Sequence, residues 1–332
     1  MSIAAVLVSR QSGGVRSFRL GCLIGRSPST RFWRSLGSVA GGLAIALHSL
    51  ALPALADPFR STNPRSIDRT TEAAFTAMFA EGNYAQAANL LENASRNEPL
   101  AHALVASLAY MERDWETLRD RATQTRRSAE RLMQSDPLRG SIYRAVGHFL
   151  EGGYAVSTQS TVAATPTVLR ELQRAFSALS EAERIAPDDP ELNLVKGYIE
   201  LFLATNLPFS SPEQALEKLQ NFAGPEYLAQ RGIAIGYRDL EQFEPAMAAV
   251  DQALAETPDN PDLYYLKAQI LVRQEKYRES LEFFKRALEK EDQLPQRHAN
   301  QIAWEACRAE SVVEGLRDGV SRQRCNPLLR RR

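Results

Sequence analysis

The residues that could do chemistry in this chain are scattered. His102, His148 and His298 lie far apart, and only His298 falls within ten residues of a cysteine, so each reads as a helix-face residue and not as a metal ligand. No G-x-x-x-x-G-K-S/T loop is present to cradle a phosphate, and no G-x-G-x-x-G, G-x-S-x-G or H-E-x-x-H motif occurs. Acidic groups such as Asp188-Asp189 and Glu289-Glu291-Asp292 fall where turns and helix ends are expected, and solvation or capping accounts for them there. A glycan hydrolase would need paired carboxylates across one groove, and the sequence displays none. No enzyme, cofactor or metal is therefore expected.

The start of the chain, as far as Ala56, has the make-up of an address. Six arginines and no acid precede an uncharged stretch from Leu36 to Leu52, which ends in Pro53-Ala54-Leu55-Ala56-Asp57. A basic start, a short apolar run and small residues at Ala54 and Ala56 predict a secretory signal cut between Ala56 and Asp57. The run is short for a bilayer core of about 20 apolar residues. Arg19 sits three residues before Cys22, where a lipoprotein signal wants an apolar residue. Loss of the segment leaves Cys307 and Cys325, a pair that an oxidising compartment would bond and a reducing one would leave as two thiols.

The whole chain carries 40 basic and 40 acidic residues, which argues against a broad nucleic-acid-binding surface, and the part after Ala56 is net acidic by six. That part repeats itself at a fixed interval. Ala234 recurs as Ala268, Tyr237 as Leu271, Phe243 as Tyr277, Ala246 as Ser280, Val250 as Phe284 and Ala253 as Ala287, each step equal in length and keeping its size class. Apolar residues three to four apart in Ala246-Met247-Val250-Ala253-Leu254 form one helical stripe, and Asn260-Pro261 is a cap followed by a first-turn proline.

In these residues the sequence resembles the tetratricopeptide (TPR) repeat family, whose unit of about 34 residues carries small residues at its eighth, twentieth and twenty-seventh positions and a proline near its end. Weaker copies begin around Asn83-Tyr84, Asp114-Trp115, Ala175 and Ala215. The resemblance implies an all-α, right-handed superhelical solenoid of about six TPR-like helix pairs over residues 69–294. An extended linker at 57–68 would precede it, and a capping helix near Pro295–Glu310 with a fraying basic tail to residue 332 would follow. Two insertions are expected: Gly152–Thr167, Ser/Thr/Gly-rich and almost uncharged, as a loop inside one hairpin, and Thr205–Pro212 as a lengthened turn.

The resemblance further implies a scaffold or adaptor that binds a protein or peptide partner in a concave groove. The family register nominates Arg231, Ile235 and Arg238 with Asp262, Tyr265, Gln269 and Arg273 as groove residues, suited to an acidic peptide. The carboxylate clamp of chaperone-binding members is absent, since Ile235 and Gln269 stand where it needs asparagine. Similarity to exported bacterial, including cyanobacterial, members implies the periplasm, or a thylakoid lumen in a photosynthetic source. A homo-oligomer built by stacking of repeats is the other reading.

Overall fold

The computed structural model describes residues 57–206 and 212–330. The signal expected at 1–56 and most of the 205–212 insertion lie outside the described residues. Fourteen α-helices and no strand occur among the described residues. Helix α1 (Arg69–Phe79) pairs with α2 (Tyr84–Leu91), α3 (Pro99–Glu112) with α4 (Trp115–Leu132) and α5 (Pro137–Thr158) with α6 (Thr161–Ile185). The array continues with α7 (Pro190–Asn206) on α8 (Pro212–Asn221), α9 (Glu226–Asp239) on α10 (Phe243–Glu256) and α11 (Pro261–Arg273) on α12 (Tyr277–Leu288). Helix α13 (Gln296–Val313) packs on α12, and α14 (Asp318–Cys325) folds back on α13.

Local sequence sets the helix starts. Asp68, Asn83, Glu98, Asp114, Asp136, Ser160 and Asn260 each accept a hydrogen bond from a backbone N–H of the first turn they precede. Pro99, Pro137 and Pro261 follow their caps in the first turn, where a missing N–H costs nothing. The small repeat positions Ala234, Ala246, Ala253, Ala268, Ser280 and Ala287 are all fully buried, so neighbouring helix backbones can approach there. One continuous apolar core runs from Phe59 to Ala309.

Three expectations are corrected. The 152–167 segment is not a loop: α5 continues to Thr158 and α6 begins at Thr161, leaving only Gln159 and Ser160 outside helices. Its hydroxyls are accommodated within the helices, where Ser157, Thr158 and Thr165 each donate to the carbonyl four residues back. Ala155 and Ala164 are buried there as well. The 57–68 stretch is non-helical but packed, with Phe59, Arg60 and Ile67 buried and the Phe59 ring edge-on to Phe75 at 4.8 Å. The tail is ordered to residue 330, as α14 and a 3-10 turn at Asn326–Arg330. Cys307 and Cys325 are bonded there, and the Trp304 indole donates to Asn326 at 3.1 Å.

Close packing makes one glycine indispensable. A Cβ on Gly147 of α5 would lie 2.7 Å from Arg126 Cβ and 2.9 Å from Arg126 Cα on α4. Gly147→Ala is expected to lose about 1–3 kcal/mol, because backbone must move to admit the methyl. Chemical denaturation measures it, and an unchanged midpoint would mean that the two helices separate freely.

Candidate functional site

The nominated groove residues sit where the repeat register puts them, on the inner helices α9 and α11, but they do not face open solvent. Arg231 Nη2 donates to Asp262 Oδ2 at 3.2 Å, and His298 Nε2, from α13, donates to Asp262 Oδ1 at 2.8 Å. Tyr265 Oη and Gln269 Nε2 both donate to Glu305, at 2.7 and 3.2 Å. Arg238 donates to Gln269 Oε1 at 2.7 Å and to Asp239 Oδ1 at 2.9 Å. Ile235 is buried beside them. Arg273 keeps the most exposure of the three arginines, 33 %, and lies 4.0 Å from Asp239.

What closes this face is the N-terminal hairpin. Tyr84 of α2 donates to the Asp262 carboxylate, and Asn260 Nδ2 donates to the carbonyls of Phe79 and Ala80 at 2.8 and 3.2 Å. The turn between α1 and α2 passes so close that a Cβ on Gly82, whose φ is +65°, would lie 2.5 Å from Pro261. Burial alone would raise the Asp262 carboxyl. Arg231, His298 and Tyr84 overcome that and hold it below the usual carboxylate range, so it stays ionised. The space left among these side chains is about 20 Å³, room for roughly one water molecule. The expectation of an open groove at Arg231, Arg238, Asp262, Tyr265 and Gln269 is therefore corrected, since each already satisfies another part of the same chain.

Exposed apolar surface gathers elsewhere. Helices α5 and α6, 22 and 25 residues long, are the longest described, and no charged residue occurs between Gly152 and Leu169 at their joined ends. Val162, Leu169 and Val156 are 86 %, 63 % and 57 % exposed there. Between α5, α6 and the end of α7 lies a cleft of about 80 Å³, walled by Phe149, Gly152, Val156, Leu172, Phe202 and Leu203, with His148 at its edge.

A polar cluster adjoins this cleft. His148 and Glu151 lie one turn apart on α5, and Glu171 projects from α6. The imidazole Nδ1–H donates to Glu171 Oε2 at 2.8 Å, and Glu151 Oε2 is 3.6 Å away. Burial would push the Glu151 carboxyl up, but His148 and Arg126 outweigh it and hold it below its ordinary value. Sequence reading assigns His148 to a bland helix face because its partner Glu171 is 23 residues away. It passes over the roles of Tyr84 and Glu305 for the same reason, since no local signal marks a contact across repeats.

Comparison with known proteins adds the family signal. Residues 231–297 match the tetratricopeptide repeat family model. The match covers α11, α12 and most of α9 with α10, the stretch where the recurrence is cleanest. The chain is also similar to human tetratricopeptide repeat protein 7A, at 28% identity over 136 residues, which is 39% of this chain and 16% of that protein. The chain thus matches well under a quarter of that relative's length. The whole described array is an all-α, TPR-like helical solenoid. Repeats of this kind generally mediate protein–protein interaction. No helix among the described residues is long and apolar enough to cross a membrane.

Proposed function

We propose that this chain is a non-enzymatic protein-interaction scaffold, exported from the cytosol after cleavage between Ala56 and Asp57. Its docking surface would be the joined ends of α5 and α6, not the inner face. The observation that carries the reading is the division of surfaces: inner polar residues are paired within the chain, while Val156, Val162 and Leu169 stand exposed around an apolar cleft. A surface without charge suits a partner that inserts an uncharged apolar side chain, because no charge has to be desolvated on either side. The Arg-rich start, the small residues before Asp57 and the cysteine pair support export to an oxidising compartment such as the periplasm, or a thylakoid lumen in a photosynthetic source.

The test is a photo-crosslinker at position 162 combined with quantitative capture. Val162→Asp with Leu169→Asp is expected to weaken capture of the crosslinked partner at least tenfold, about 1.4 kcal/mol. Both side chains are exposed, so folding should change by no more than about 0.5 kcal/mol. Arg273→Ala should leave capture unchanged. Full capture by the double variant would sink the reading, and a crosslink to a second copy of the chain would replace it with self-assembly.

A further inference from the structure

We propose that His148, Glu151 and Glu171 form a binding site for one divalent transition-metal ion of the zinc type, clipping α5 to α6 beside the apolar cleft. One ligand atom from each of the three residues lies within 4.8 Å of the other two. Donors bound to a tetrahedral zinc ion at about 2.0–2.2 Å stand about 3.3–3.6 Å apart, so side chains separated by up to 4.8 Å must close by about 1 Å, which rotation of the carboxylates supplies. The ion takes the Nδ1 lone pair that carries the proton in the metal-free chain, and the proton moves to Nε2.

The hold on each carboxylate is unequal, and this separates the site from an ordinary ion pair. Arg126 donates to Glu151 Oε1 at 3.2 Å. Arg170 and Arg174 donate to Glu171 Oε1 at 3.0 and 3.3 Å. Both Oε2 atoms are left turned toward the imidazole. The guanidiniums therefore occupy the outer oxygens and orient the inner ones, as hydrogen-bonding partners of ligating carboxylates do in metal sites. One imidazole with two carboxylates suits a borderline cation better than a soft one. The three positive charges nearby lower its affinity below that of a thiolate site. Three protein ligands leave a coordination position open, and Gly152 beside them presents no side chain, the space of its missing Cβ being 3.7 Å from Glu171 Cβ.

The experiment titrates Zn²⁺ by calorimetry into the protein stripped with EDTA, and repeats the titration with Co²⁺ followed by visible absorption. One saturable equivalent per chain is expected, with d–d bands of a low-symmetry cobalt site. Glu151→Gln keeps the shape of a partly exposed side chain, so it tests the site without threatening the fold, and circular dichroism confirms that. It should weaken binding at least tenfold, and His148→Ala should abolish the cobalt bands. Absence of saturable binding would overturn the proposal. So would unchanged affinity in both variants, which would place the ion on other residues.

Discussion

Replacing Arg139 by alanine is expected to cost about 3–5 kcal/mol of stability, the largest effect of any single substitution considered for this protein. Its guanidinium is almost fully buried on α5. It donates to Glu98 Oε1 at 2.8 Å, comes within 3.4 Å of Glu191 Oε2 and lies over the Tyr143 ring at 5.2 Å. Glu191 also accepts from Arg60 at 2.9 Å and from Tyr143 at 2.5 Å. The network thus joins the 57–60 segment, α3, α5 and α7. Removing Arg139 would leave Glu98 with the Leu100 backbone N–H alone and Glu191 with one cation fewer. Burial already pushes the Glu191 carboxyl up despite Arg139 and Arg60. A carboxyl whose folded pKa is raised favours folding in its protonated form. The deficit of the variant is therefore greatest near neutral pH and shrinks as pH falls through the raised value. Urea denaturation at two pH values measures both parts. A neutral-pH loss below about 1 kcal/mol would show that the network contributes little net stability.

Replacing both Cys307 and Cys325 by serine is expected to cost about 3 kcal/mol, from the freedom regained by a chain closed over 18 residues. The loss should be local. Helix α13 is held independently by packing on α12 and by His298 and Glu305 on α11, whereas α14 is short and, apart from Ser321 and Cys325, carries no buried side chain. Limited proteolysis should cut first around Gly315, between α13 and α14. An unchanged midpoint with no new cleavage would mean that Arg308–Asp318 and the Arg324 pairs with Glu310 and Glu314 suffice to hold the end.

Much of the array is legible in the chain because its determinants are local. The recurrence of Ala234 as Ala268 and of Ala246 as Ser280 encodes helix pairs of fixed length, and the structure buries every one of those positions. Caps such as Asp114, Asp136 and Asn260 act within three residues of themselves, so their effect is visible in the sequence. The 152–167 segment misleads for a related reason. Serine, threonine and glycine suggest a loop by composition, but packing of Ala155 and Ala164 between two long helices outweighs weak local preference.

The sequence by itself determined the all-α class, the order of the hairpins, and which faces of α9 and α11 point inward, since all follow from the helical period and the longer period of the repeat. Tertiary structure alone decided whether that inner face is open. Tyr84 and Asp262 are 178 residues apart, Asn260 and Phe79 181, and no periodicity reports their approach. Curvature accumulates from small rotations between successive hairpins, so whether the first meets the last depends on the sum of every packing angle. That sum brings α2 against α11 and turns the nominated arginines into internal partners, while Val156, Val162 and Leu169 stay exposed at the uncharged ends of α5 and α6.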